Sequence, residues 1–128
     1  MEDDVRNLSA SEALIMKVIW EAGGVIPFLE LLERLRTDYG KDYSRNSVAT
    51  FLQRMADKGY VESQRKGKNA YIRALKNRDE YAYQKLCHEK DMWFSGKAAN
   101  LVHAMLKRND ITKEDAAEIR SMLDELDN

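Results

Sequence analysis

The stretch SRNSVATFLQRMADKGYVESQRKGKNAYIRA, Ser44 to Ala74, changes its period halfway along. In its first half Val48, Phe51, Leu52 and Met55 recur at the spacing of one helix face. Asn46, Ser47, Thr50, Gln53 and Arg54 fall between them and point the other way. Ser44 stands where an N-cap belongs, and Gly59 at the left-handed position just past the end. After Tyr60 the period shortens towards two. VESQR and AYIRA flank KGKN, a four-residue glycine-containing loop, which predicts a β-hairpin with Arg65, Lys66 and Lys68 at its tip.

Upstream, Ser9 with Glu12 forms a capping-box pattern, and Leu8 sits where a hydrophobic staple would begin. Leu14, Ile15, Val18 and Ile19 make the apolar stripe of a first helix that Gly23-Gly24 ends. Met16 and Trp20 lie on a second face, which implies burial on more than one side. Pro27 suits the first turn of a second helix carrying Phe28, Leu31, Leu32 and Leu35, closed by Tyr39-Gly40. Val25-Ile26 is long enough only for a single bridge of sheet. Three helices followed by a basic-tipped hairpin predict a winged helix-turn-helix that closes near Lys76.

Beyond it the pattern is helical. Asn77 and Arg78 open a helix with Tyr81, Leu86 and Trp93, and Gly96 breaks it. Ala98, Leu101, Val102, Met105 and Leu106 form another stripe, and Thr112 with Asp115 starts a last helix with Ile119, Met122, Leu123 and Leu126. These amphipathic helices are too few to bury themselves alone, and a second copy of the chain is the natural cover. The expected fold class is mainly α with a small β-hairpin (α+β). Residues 1–76 are expected to form a winged-helix DNA-binding domain, and 77–128 a helical dimerisation domain.

At 128 residues the chain holds one ordinary domain, or a small one with an appendage. Its 44% hydrophobic and 34% charged residues supply a core under a surface rich in both signs of charge. No run of 18 apolar residues occurs, the N-terminal MEDDVRN is acidic rather than signal-like, and Cys87 is the only cysteine. A soluble cytoplasmic protein without an intrachain disulfide is expected. The net charge of −1 conceals a polarity. From Lys41 to Arg78, ten Lys/Arg stand against three Asp/Glu, a balance of +7, while the remainder carries −8. A basic middle on an acidic body fits a nucleic-acid face.

Catalysis finds little support. The inventory is His88, His103 and Cys87, with no glycine-rich phosphate loop. Cys87 and His88 are neighbours and point about 100° apart on a helix, so they make no ready dyad. Their spacing matches no structural zinc site. No enzyme activity, metal or cofactor is expected. A helix entering the major groove, by contrast, needs short side chains with donors and acceptors for base edges. Asn46, Ser47, Thr50 and Gln53 supply them near the helix start, with Arg45 and Arg54 flanking to hold phosphates. Arg65, Lys66 and Lys68 on the wing would add affinity more than sequence preference. The rival reading is a protein-interaction module on the same fold, without sequence-specific DNA binding.

These residues carry a resemblance. LSASEALIMKVIWE, then YGKDYSRNSVATFLQRMADKGYVESQRKGKNAYIRAL, then DEY, resembles the BlaI/MecI penicillinase-repressor family, to which the CopY copper-responsive repressors are related. The match runs from Leu8 to about Tyr81 and continues more faintly through DITKEDAAEIRSML. It implies a homodimeric repressor that binds promoter inverted repeats of double-stranded DNA, controlling a resistance operon such as a β-lactamase operon. By position, the family's base-reading stretch falls on Asn46, Ser47 and Thr50. Its dimer contacts fall among Leu101, Val102, Met105, Leu106, Ile119, Met122 and Leu123, and Tyr43 stands where the family often has a tryptophan.

Two departures bear on release. Penicillinase repressors are typically inactivated when a membrane sensor-protease system cuts an Asn–Phe bond in the dimerisation domain, which aligns here with Ala104-Met105. Either a cognate protease reads a different site, or release follows another route. The copper-responsive relatives carry Cys-x-Cys pairs, and one cysteine cannot supply them.

Overall fold

The structure is a computed structural model that describes residues 7–127; the acidic segment 1–6, read above as unlike a signal peptide, lies outside them. Capping groups set the helix limits. The Ser9 hydroxyl accepts from the Glu12 N–H at 3.1 Å and the Glu12 carboxylate accepts from the Ser9 N–H at 2.9 Å, starting α1 (Ala10–Glu21). A short strand β1 (Val25–Pro27) leads into α2 (Phe28–Tyr39). The Ser44 hydroxyl then accepts from the Ser47 N–H at 3.0 Å to start α3 (Arg45–Asp57). Gly59, at φ 85°, turns the chain where a side chain would be strained, and releases it into β2 (Val61–Lys66). β3 (Asn69–Ala74) returns antiparallel, followed by α4 (Arg78–Trp93), α5 (Ala98–Lys107) and α6 (Lys113–Leu126).

Three local expectations change. Val25-Ile26 is more than a bridge: β1 pairs with β3 at Val25↔Arg73, Ile26↔Ile72 and Pro27↔Tyr71, in a sheet of order β1-β3-β2. Burial of Ile26 against the core holds the pairing, and Pro27 is tolerated because β1 is an edge strand. Pro27 is also the N-cap of α2, at φ −64° and ψ 143°, rather than a first-turn residue. The hairpin loop has two residues, not four, since Arg65↔Ala70 and Lys66↔Asn69 remain paired around Gly67-Lys68. Gly67 alone of the two central residues has positive φ, 64°, the signature of a type II′ turn that matches strand twist.

The chain divides into two compact units, the first ending at Ala82 and the second beginning at Tyr83. In the first, α1, α2, α3 and the sheet enclose one apolar core. Ile15, Ile19, Leu31, Leu35, Val48 and Met55 are fully buried in it. Met16 is buried and Trp20 half-buried, so α1 is covered on two sides as its pattern implied. The first turn of α4 packs here too: Tyr81 sets its ring 5.6 Å from Trp20 and 5.8 Å from Tyr60, and the Trp20 indole N–H donates to the Lys76 carbonyl at 3.0 Å. Glu12 is the one charged side chain buried among the described residues, and the Lys58 ammonium meets it at 2.7 Å. That pair ties the start of α1 to the end of α3.

The second unit differs in kind. No residue of α4, α5 or α6 is buried, although Thr112 and Asp115 close a full capping box on α6. Apolar side chains such as Trp93, Leu106 and Met122 face solvent. Its helices are formed locally and lack a core of their own.

Candidate nucleic-acid interface

Amphipathicity positions α3. Val48, Leu52 and Met55 are buried, and Tyr43 meets Phe51 edge-on at 5.5 Å, its hydroxyl 2.9 Å from that of Ser11. The opposite face is exposed, and the structure sorts its residues into three places. Asn46, Ser47, Thr50 and Arg54 line one shallow depression beside Phe51. Gln53 lies on the side of α3 nearer the hairpin, beside Ala49, Ala56, Ser63 and Ala70, and its amide donates to Asp57 at 3.1 Å. Arg45 turns towards the wing.

The groups in the depression are unequal. The Thr50 hydroxyl donates to the Asn46 carbonyl at 3.0 Å, so it can only accept from a ligand, alongside its methyl group. Ser47 receives a hydrogen bond from the Ser44 hydroxyl at 3.0 Å, which leaves its own proton to donate. Among the described residues nothing engages the Asn46 amide, whose two donors and acceptor match adenine edges. Neither Arg45 nor Arg54 has a carboxylate partner among the described residues.

Strand alternation divides the wing. Arg65 lies on the face that sends Val61 and Ile72 into the core, while Lys66 lies on the outer face with its ammonium 5.9 Å from the Tyr71 ring. The Arg65 guanidinium donates to the Lys68 carbonyl at 3.4 Å across the turn. Further down, Arg73 is paired with Glu62, which removes it from the free cations. Between α2, the start of α3 and the wing lies a cleft of about 430 Å³. Arg45, Arg65 and Lys68 line it together with Phe28, Leu29 and Tyr71. The cations stand out in the sequence, whereas Leu29 and Tyr71 join them only in the fold. One signal was present in the sequence: Leu29 stands off the stripe of Phe28, Leu31, Leu32 and Leu35, and the fold leaves it 58% exposed.

The remaining expected residues lie in the second unit. Val102, Met105, Leu106, Met122 and Leu123 are exposed, and Leu101 and Ile119 half-buried. The Ala104-Met105 bond sits inside α5. His88 and His103 are exposed, Cys87 is half-buried, and the Cys87 thiol raises the pKa of the Tyr83 phenol. Among the described residues no three His, Cys, Asp or Glu side chains are grouped to hold a metal, and no helix is long and apolar enough to cross a membrane.

Three helices, a three-stranded sheet and a cationic hairpin beside an exposed polar helix face define a winged helix-turn-helix DNA-binding protein. The solution structure of the DNA-binding domain of the repressor BlaI is similar, with 23% identity and a TM-score of 0.51, over 63% of this chain and 94% of that chain. The complex structure of hsRosR-S1 is similar at 21% identity and a TM-score of 0.55, over 91% and 99%. The organohalide-sensing transcriptional regulator RdhR, ligand free, matches at 20% identity and a TM-score of 0.51, over 94% of this chain and 62% of that chain. None of the curated proteins matches the chain. The penicillinase repressor family model matches residues 8–125, and the chain belongs to that family. It is a DNA-binding repressor.

Proposed function

We propose that the chain acts in the cytoplasm as a homodimer on a pseudo-palindromic operator, and represses by occluding a promoter. The carrying observation is the exposed face of α3, where Asn46, Ser47, Thr50 and Arg54 share one depression, while Arg45 at the start of the same helix lines a second, cation-rich cleft with the wing. Asn46, Ser47 and Thr50 read base edges, Gln53 reaches bases by exchanging Asp57, and Arg45 and Arg54 hold phosphates. Arg65, Lys66 and Lys68 supply affinity from the wing.

The bare apolar faces of α5 and α6 support the dimer, with Leu101, Val102, Met105, Leu106, Ile119, Met122 and Leu123 in its interface. Two recognition helices then enter major grooves about one helical turn or a multiple apart. The family supports control of a resistance operon such as a β-lactamase operon, and a membrane sensor-protease as the releasing partner. Cleavage in that case falls near Ala104-Met105 and requires α5 to open. Mobility-shift titration against DNA upstream of its own gene, at two salt concentrations, tests the DNA reading. A sequence-selective complex that weakens steeply with salt supports it, and no complex at low salt overturns it.

A further inference from the structure

The cleft between α2, α3 and the wing gathers three cations from three separate elements: Arg45 from α3, Arg65 from β2 and Lys68 from the hairpin turn. No carboxylate lines it, and none of the three has an acidic partner among the described residues. Arg45 is placed against local preference. It is the first residue of α3, where the helix dipole is positive, and no acid occupies that first turn. Like charges lining one concavity, one of them on a repelling helix end, make a site that favours an anion. Local rules broken in this way mark functional positions.

The walls narrow the choice of anion. Phe28, Leu29 and Tyr71 present apolar surface beside the cations, and Leu29 is left exposed although the other leucines of α2, Leu31, Leu32 and Leu35, are buried or half-buried. An anionic group joined to a small apolar body describes one unit of a DNA backbone. We propose that the cleft seats a single operator phosphate in each half-site. Arg45, Arg65 and Lys68 close on its oxygens, and Leu29 and Phe28 lie against its deoxyribose. The inference rests on the DNA reading above and deepens it: three cations act as one unit on one phosphate, and Leu29 becomes an interface residue.

The test uses the full chain and a duplex that it selects from a random pool, rebuilt with one neutral methylphosphonate linkage at a time. Affinity is measured for the wild type and for Arg45→Ala, Arg65→Ala, Lys68→Ala and Leu29→Ala. The expected result is one linkage per half-site whose neutralisation costs the wild type about tenfold or more, since a single charged hydrogen bond already reaches that scale. At that linkage, and not at others, the three cation variants lose little further, so the effects fail to add. Leu29→Ala weakens binding to every duplex a few-fold and leaves the salt slope unchanged. If the three variants lose additivity at three different linkages, the cations serve separate phosphates and the seat is refuted. An unchanged affinity for Leu29→Ala removes the sugar wall. Failure of the wild type to bind any unmodified duplex at low salt is a different outcome, and overturns the DNA reading along with the seat.

Discussion

Replacing Lys58 by methionine removes the ammonium that meets Glu12 at 2.7 Å and keeps the aliphatic stem. The Glu12 side chain is 2% exposed, so its carboxylate would remain buried with the Ser9 N–H as its donor. Breaking a buried pair by deleting one partner costs about 3–5 kcal/mol. Lys58 is 26% exposed, so water can fill part of its place, and about 2–3 kcal/mol is expected at neutral pH. For a small unit that lowers Tm by about 10 °C or more.

The pH dependence gives the sharper test. Burial pushes the Glu12 pKa up, but hydrogen bonds from Lys58 and the Ser9 N–H, with the charges of Lys58 and Arg54, outweigh it and hold the pKa below the usual value. A pKa lowered by folding means stability that is present above the unfolded value and lost as pH falls through the folded one. In Lys58→Met burial dominates, and protonation relieves the strain. The gap between wild type and variant is therefore widest near pH 7 and closes as pH falls through the lowered wild-type pKa. Urea unfolding read from Trp20, in a Trp93→Phe background, follows the first unit. Adding Glu12→Gln to Lys58→Met should recover most of the loss, since a neutral amide still accepts from Ser9. A loss under about 0.5 kcal/mol at pH 7, or a gap that stays constant with pH, would refute the reasoning.

Asn46→Ala should cost on the order of 1–3 kcal/mol and relax preference at particular base pairs, checked by binding to single-base operator variants. Lys68→Ala should weaken all duplexes alike; a sequence-selective loss would move Lys68 to base readout. Arg45→Ala should reduce DNA affinity yet raise stability by about 0.3–1 kcal/mol, because it removes a cation from the start of α3; denaturant midpoints measure the gain. Leu106→Glu, on the exposed face of α5, should shift sedimentation towards the monomer while α1–α3 keep their fold.

The helices were legible because their ends are local chemistry. Ser9 with Glu12, Ser44, and Thr112 with Asp115 cap the helices as their spacing indicates, and Gly59 ends α3 in the left-handed region. What escaped the pattern was non-local. Two apolar residues at Val25-Ile26 show no period, and their strand exists only because β3 offers a register that buries Ile26 against Ile72. Lys66 and Asn69 look like loop residues by composition, but the type II′ geometry available to Gly67 keeps them paired. The polar face of α3 could be read because its period separates it from the core. The wing cleft could not, since Leu29, Arg45 and Tyr71 meet only through the sheet. Glu12 was visible as a capping residue; that the oxygen accepting from Ser9 also holds Lys58 follows from tertiary packing.

The second unit links three properties that sequence treats separately. With no buried residue in α4, α5 or α6, these helices draw little stability from their own packing. Whatever covers their apolar faces supplies it, so the proposed dimer would complete the unit as well as join two winged domains. The Ala104-Met105 bond lies inside α5, and a protease needs an extended chain. Cutting there would then depend on local opening, which the proposed dimer would suppress. Operator occupancy feeds into the same balance, because binding two half-sites favours the paired state. In the proposed scheme such a repressor would resist cutting at Ala104-Met105 while it is on DNA and become vulnerable once it leaves.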